Sequence, residues 1–552
     1  MKRTLFAIAG LGLVLLGALA GQWVHGSTSE ADREAVRTLR SAYEVIRTSY
    51  VDPVSPDSLT TSSLEGMMET LDPFSVYIST ERMKQVEESF SGSFEGIGIS
   101  YELLEGPNEA DTIAVTTVLP RGPSAKAGLR AGDRIVRVAG EPAIGWSHQT
   151  IQRRLKGPKG SSVSVTLRRP GRSERLVRTI TRDTVPLETV DAAYMMDGGT
   201  GYIRLNRFAR TTHQEVTQAL RALEDQGMTR LIFDLRGNAG GLMSMAEKVA
   251  DEFLVEGQLI VRARSRHDEY GGARYATADG LLQEAPVTVL VDQHSASASE
   301  IVAGALQDHD RALLVGRRTF GKGLVQRQYD LSDGSGLRLT VARFYTPSGR
   351  LLQRDDRSPD SLAAPVDTAS VPDSLRHRTD AGRLVLGGGG IWPDRVVADS
   401  IQNAYRRAVT RQGIVRDFAR RWADAHTDIL RREWADRPEA FAAEFSLPST
   451  VYPAFVRYAA EQGVRPAPGG RWDDVATPAP DESETVPSMT PALVEAARPD
   501  LETQIKAYLG QRLFGPSMRI RLRNRIDPVV QSAQASWGRA QRWAARYPVP
   551  SE

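Results

Sequence analysis

Residues 286–326 read PVTVLVDQHSASASEIVAGALQDHDRALLVGRRTFGKGLVQ. The β-branched run Val287–Val291 predicts a buried strand. The small-residue loop 295–299 follows, and then Ile301, Val302, Ala305 and Leu306 recur at helical spacing. A second strand is predicted over 312–315, and it leads into the turn Thr319-Phe320-Gly321-Lys322-Gly323 before alternation resumes toward Gln326. Strand, loop, helix, strand, turn and strand form a unit that can bring the loop and the turn together.

Each end of this unit carries one reactive side chain in a frame of small residues. Ser297 stands where the chain leaves a strand and enters a helix, beside the unpaired N–H groups of a first helical turn, which can stabilise an oxyanion. Lys322 lies between two glycines and is flanked by Phe320 and Leu324. Desolvation in such a turn would lower the lysine pKa and free the amine as a base, and a serine beside a neutral lysine is an activated nucleophile. Plainer readings compete with this one. Ser297 and Glu300 form S-x-x-E, a capping box, and Lys322 could be a solvated turn lysine. Gly316 to Lys322 fits G-x-x-x-x-G-K, but Gly323 stands where a phosphate loop needs Ser or Thr, and a strand pattern follows instead of a helix. A histidine-based triad is the rival enzyme mechanism. The nearest histidine, His294, precedes Ser297 by three residues and has no evident carboxylate partner.

The stretch resembles the core of the C-terminal processing proteases, also called tail-specific proteases, a family of serine peptidases with a Ser-Lys dyad. The S-A-S-A-S-E element, the F-G-K-G turn and the glutamine four positions after its lysine stand in the family's register, with the lysine 25 positions after the serine. The resemblance implies Ser297 as nucleophile, Lys322 as its base and Gln326 as the residue that holds the lysine in place. Upstream, 231–236 read as a strand that runs into Gly237-Asn238-Ala239-Gly240-Gly241 ahead of an amphipathic helix over 242–253. Consecutive glycines at a helix start offer backbone N–H groups to an anion, or merely end a strand. In the family, D-L-R-x-N-x-G-G supplies one oxyanion donor from its last glycine, here Gly241, and the residue after the nucleophile, here Ala298, supplies the other.

Working outward, 94–182 reads as a separate module. Gly96-Ile97-Gly98-Ile99 opens a strand whose free edge and loop amides suit an extended peptide and its terminal carboxylate. With A-G-L-R-A-G-D-R-I over 127–135 and K-G-P-K-G over 156–160, the module resembles a bacterial PDZ domain. The helical pattern at Val36, Leu39, Tyr43 and Ile46, followed by L-D-P-F-S at 71–75, resembles the family's lead-in. T-P-S-G-R at 346–350 matches a further family element. Its continuation G-I-W-P-D comes only at 390–394, after an insertion over about 355–380 that reads as a mobile surface loop.

Composition sets the remaining limits. A chain of 552 residues implies several domains. Net charge is +2, which suggests no nucleic-acid partner, and cysteine is absent, which removes disulfides and thiol chemistry. Lys2 and Arg3 precede an uncharged apolar run, 5–24, with A-L-A at 18–20, as in a secretory signal or an uncleaved membrane tether over about 4–24. Either would place the rest outside the cytoplasm, in the periplasm.

The expected organisation is a signal or anchor (1–26), a helical region (27–90), a PDZ domain (91–184), a protease core (185–401) and a helical extension (402–552). The fold class is multidomain α+β or α/β, and the resemblance implies a crotonase- or ClpP-like core with the PDZ domain inserted. Beyond about 402 no motif is recognised. Helices are expected over 403–425 and 438–445, a proline- and acid-rich linker over 466–491, and a basic segment, 518–525, that reads as a solvated helix face. The extension could cap the core, mediate self-association or hold an adaptor. The function expected is an extracytoplasmic serine endopeptidase, without metal or cofactor, acting on proteins or peptides with exposed C-termini. The alternative is a PDZ scaffold with an inactive or tightly autoinhibited core.

Overall fold

The computed structural model describes residues 29–104, 112–277, 280–354, 371–397, 403–464 and 490–544. The apolar run 5–24, most of the insertion and most of the 466–491 stretch lie outside them. No described helix is long and apolar enough to cross a membrane. The chain divides into two compact units, Met1–Met83 with Gln326–Thr340 and Lys84–Val325 with Val341–Glu552.

In the first unit, Glu30–Ser49 and Pro56–Glu69 are helices capped by the side chains of Ser29 and Ser55, and neither buries a residue. Asp72 fixes the L-D-P-F-S turn by accepting from the Phe74 N–H at 3.0 Å and the Ser75 hydroxyl at 2.8 Å. The chain then enters the strand Val76–Ile78, which pairs antiparallel with 336–338.

The second unit is built on a six-stranded sheet. Its strands are β1 (Val190–Met196), β2 (Thr200–Leu205), β3 (Arg230–Asp234), β4 (Val287–Val291), β5 (Ala312–Gly316) and β6 (Arg395–Val396), adjacent in chain order. The β1–β2 pair is antiparallel and the others are parallel. Parallel neighbours need crossovers, and helices α1 (Thr212–Glu224), α2 (Met243–Asp251) and α3 (Ala298–Asp308) lie in those connections. Strand alternation divides the side chains. Leu231, Phe233, Val287, Val289 and Val291 pack with these helices in one core. Tyr202, Ile232, Leu290, Leu313 and Val315 form a second core on the opposite face. Burial on both faces explains why β4 and its neighbours read as unbroken apolar runs.

The cover of that second face comes from the far end of the chain. Helices α4 (Ile414–Ala425), α5 (Arg498–Phe514) and α6 (Pro516–Arg523) belong to the extension, and α7 (Pro528–Gln534) and α8 (Trp537–Ala544) lay Val529, Val530, Ala533 and Trp537 onto the sheet. Most of the extension has its own core, around Phe441, Phe455 and Leu501. The single helix expected over 403–425 is two, because Gly413 breaks it at φ +72°. The basic segment is a packed face, not a solvated one: Met518 and Leu522 are buried, and Asn524 donates to the Tyr194 hydroxyl at 2.7 Å. The later part of the insertion also differs from a mobile loop. Arg376–Arg378 pairs with Leu384–Leu386, and Asp380 binds His309 at 2.7 Å, so backbone pairing and a side-chain anchor hold it.

The module over 93–186 is closed by pairing of Ser93–Gly96 with Asp183–Pro186. Its sheet runs Ile99–Leu104, Thr112–Val118, Arg134–Val138, Ser162–Arg168, Arg175–Thr181. Ile97, Ile113, Val115, Ile135, Ile151 and Val165 centre its core.

Candidate active site

Ser297 occupies the elbow between β4 and α3 with φ +55° and ψ −112°. That region is disfavoured for a residue with a side chain, at about 1–3 kcal/mol, and persists only where neighbours enforce it. Here the neighbours are identifiable. Ala296 donates to the Asn238 carbonyl at 3.0 Å, and the Ser299 hydroxyl donates to the same oxygen at 2.8 Å. Asn238 is fully buried and also ties down its own loop, donating to the Leu205 carbonyl at 3.1 Å and accepting from the Gly240 N–H at 2.9 Å. One asparagine therefore joins the serine loop to the glycine loop.

Glycine is required at the contact. A Cβ on Gly240 would lie 2.8 Å from the Ala296 carbonyl oxygen and 3.0 Å from both Ala298 N and Ser297 Cβ. Gly241 bridges to Phe208, and its Cβ would fall 2.1 Å from the Phe208 carbonyl oxygen. Among the described residues, neither the Gly241 nor the Ala298 N–H donates to a protein acceptor. The structure thus brings Ser297, Ala298 and the Gly240-Gly241 pair together.

Lys322 reaches the same place through a residue whose role the sequence does not disclose. Glu300 is fully buried, and its carboxylate accepts four hydrogen bonds. Oε1 takes the Thr319 hydroxyl at 2.6 Å and the Gly321 N–H at 2.8 Å. Oε2 takes the Ser297 N–H at 2.8 Å and the Lys322 N–H at 2.9 Å. Two backbone nitrogens held by one oxygen are no farther apart than the sum of those two lengths, so the serine elbow and the lysine turn meet. Burial pushes the Glu300 carboxyl up, and its four donors only partly offset that. The capping-box reading of S-x-x-E is half the account, since the same glutamate also clamps the turn. Its grip on the Gly321 and Lys322 N–H groups leaves no phosphate cradle there.

The Lys322 side chain is half-buried. The flanking shield expected from Phe320 is incomplete, because Phe320 is 40% exposed while Leu324 is buried. Gln326 belongs to the other unit, where its side chain donates to the Phe74 carbonyl. His294 is exposed, and its ring contacts Gln293 at 3.3 Å instead of a carboxylate.

Behind the glycine loop lies a buried polar network. Asp234, at the end of β3, accepts from the Tyr202 hydroxyl at 2.6 Å and from Arg236 through Nε at 2.9 Å and Nη2 at 2.7 Å. Burial works against the Asp234 charge, yet Arg236 and Arg204 outweigh it and hold the carboxyl below its ordinary range. Gly96, Ile97, Gly98 and Ile99 lead into the module's edge strand, with Gly98 at φ +72° and Ser124 donating to the Ile97 carbonyl at 3.0 Å. Among the described residues, that edge strand pairs only with Thr112–Val118. The first residue of the helix His148–Leu155 stacks on Tyr101 of the edge strand with ring centres 5.5 Å apart. Among the described residues no cluster of His, Asp and Glu is arranged to hold a metal.

Four family descriptions match the chain: peptidase family S41 over 199–362, PDZ domain over 114–169, activating protease CtpB N-terminal domain over 20–82, and a family of unknown function, DUF8443, over 405–515. The carboxy-terminal processing protease CtpB of Bacillus subtilis (strain 168) is 35% identical over 60% of this chain and 69% of its own length. The carboxy-terminal-processing protease of Bartonella bacilliformis is 33% identical over 65% of this chain and 82% of its own. Among solved structures, the photosystem II D1 C-terminal processing protease is 29% identical, covering 66% of this chain and 93% of that one, with a TM-score of 0.35. The chain belongs to peptidase family S41, among the carboxy-terminal processing proteases, and is a serine-type endopeptidase with a PDZ domain.

Proposed function

We propose that this peptidase works by a Ser297–Lys322 dyad on substrates whose C-termini are taken by the PDZ domain. The observation that carries the reading is the shared Glu300 oxygen, which fixes the Ser297 and Lys322 amides side by side. In the attack step the Ser297 hydroxyl proton passes to a neutral Lys322 amine while Oγ bonds to the peptide carbonyl carbon. The resulting oxyanion takes the Gly241 and Ala298 N–H groups, each donor contributing about 3 kcal/mol to the transition state. Collapse expels the amine, which carries away the proton from Lys322. Water then gives a proton to the Lys322 amine and attacks the acyl carbon, and the C–O bond to Ser297 breaks as Lys322 returns that proton to Oγ. The substrate tail adds to the edge strand Ile99–Leu104, with its carboxylate at the Gly96–Ile99 amides.

Lys2 and Arg3 ahead of the apolar run 5–24 support an extracytoplasmic, periplasmic site of action, with the run as export signal or tether. An alkaline-phosphatase fusion placed after residue 29 should be active; an inactive fusion would refute export.

The dyad is tested with a peptide ending in apolar residues. Ser297→Ala and Lys322→Ala should each abolish turnover while His294→Ala keeps it. Equal rates for Ser297→Ala and the parent would leave only the scaffold reading, and loss in His294→Ala alone would restore a histidine mechanism.

A further inference from the structure

The peptidase family match ends at residue 362 and the last family match at 515, yet a residue beyond both enters the network behind the glycine loop. Asp527 is the N-cap of α7, where its Oδ1 accepts from the Val529 N–H at 2.9 Å and the Val530 N–H at 3.2 Å. Its other oxygen takes Arg236 Nη1 at 2.8 Å. The opposite side of that guanidinium is held by Asp234 through Nε and Nη2. The Arg236 side chain is only 13% exposed, so Nη1 has little access to water and needs a protein acceptor. Asp527 is that acceptor.

The connection runs on to the reacting centre in a few residues. The Arg236 backbone N–H also bonds Asp234, at 2.9 Å, so side chain and main chain together set the direction in which the chain leaves β3. Gly237 is then held by Asp292 at 3.0 Å, Asn238 by the Leu205 carbonyl, and Gly240 and Gly241 by Phe208. A guanidinium gripped on one side can pivot about Asp234, and one gripped on both cannot. The apolar contacts of Val529 and Val530 with the sheet fix α7, and therefore fix Asp527.

We propose that the C-terminal extension is part of the catalytic apparatus, with Asp527 acting through Arg236 as a positioning residue for the loop that carries the Gly241 donor. This rests on the reading of Ser297 as nucleophile and Gly241 as oxyanion donor. The extension thereby does more than cover the sheet, since it locks the geometry in which the oxyanion is received.

The test is Asp527→Ser in the full chain. Serine still caps a helix but is too short to reach the guanidinium. Active sites are first titrated with a serine-reactive phosphonate, so that kcat refers to folded, competent enzyme. The expected result is a fall in kcat per titrated site of about tenfold, the scale of a modest misplacement, with KM unchanged. In an Arg236→Lys background the same change should add no further loss. Glu439→Gln, which breaks the Arg521 pair elsewhere in the extension, should leave kcat alone. An unchanged kcat per titrated site, whatever happens to Tm, overturns the proposal, as does a rise in KM alone. Should Arg236→Lys not fold, the first measurement still decides. Ser297→Ala, assayed per mole of protein because it leaves no serine to titrate, separates the two failures: if it keeps activity, the dyad is wrong, whereas an inactive Ser297→Ala beside a normal Asp527→Ser refutes only the positioning role.

Discussion

Glu300→Gln is the most informative single perturbation of the clamp. It keeps the shape and removes one acceptor oxygen. Whichever way the amide turns, its –NH2 faces former donors: either Ser297 and Lys322, or Thr319 and Gly321. The second choice is the less costly, because it keeps the Ser297 and Lys322 bonds; it orphans the Gly321 N–H and takes the acceptor from the buried Thr319 hydroxyl, whose oxygen already accepts from the Ile391 N–H at 2.6 Å. A buried orphan costs about 1–3 kcal/mol, and the bonds from Ser297 and Lys322, now to a neutral oxygen, weaken by about 1 kcal/mol each. Against this, an amide is easier to bury than a carboxylate whose pKa is already raised by burial. The overall stability loss should therefore stay near 1–2 kcal/mol. Most of the local strain falls on the turn that carries Lys322, which supplies three of the four donors. If about 3 kcal/mol of it is relieved by moving the turn away from Ser297, kcat/KM drops by roughly two decades. The assay is peptide cleavage per titrated active site, read beside a urea unfolding curve. Activity within threefold of the parent, with an unchanged curve, would refute the idea that this carboxylate joins the two reactive residues.

Three further outcomes follow from the geometry. Gly240→Ala places a methyl against Ala296 O, Ala298 N and Ser297 Cβ at φ +100°, so turnover should fall at least tenfold, and a fully active variant would mean the two loops are looser than described. Asp234, whose carboxyl is held below the ordinary aspartate pKa of about 3.9, contributes stability that is complete above that pH and lost as pH falls through the folded value. The Asp234→Asn variant should accordingly lose the acid-side slope below about pH 4, and an identical slope in urea midpoints would contradict this. Asp424 meets Arg134 of the PDZ domain and Arg512 of the extension, each at 2.6 Å, and Arg134 is 3% exposed. Asp424→Ala should lower stability by about 3 kcal/mol, as expected when a buried pair loses one partner, and an unshifted unfolding midpoint would show the pair to be idle.

How much of this was legible in the chain can be argued residue by residue. The strand Val287–Val291, the elbow at Ser297 and the helix after it follow from local patterns, because a strand buried on both faces and a helix each leave their own period in the sequence. The glycines at 240 and 241 announced a close approach, though not what approaches. Glu300 was read for its shorter-range job alone, since a capping box needs three residues of context while the clamp on the lysine turn spans twenty-two. Asp234, Arg236 and Asn238 stood in the D-L-R-x-N-x-G-G element without disclosing what they would hold, as buried polar partners are defined by what faces them. The basic segment 518–525 and the later insertion misled for the same reason: charge and proline content describe how a segment would behave in water, and these segments lie against protein.

The sequence by itself determined the order of elements, the elbow at Ser297, the turn at Lys322 and the glycine-rich frame around them, because backbone geometry and hydrophobic period are local properties. Only the tertiary structure decided that a single carboxylate gathers the serine and lysine amides, and that Asp527, 291 residues beyond Arg236, completes the network behind the glycine loop. Such pairings depend on the spatial convergence of groups far apart in the chain, and a buried charge has meaning only once its partners have been brought to it.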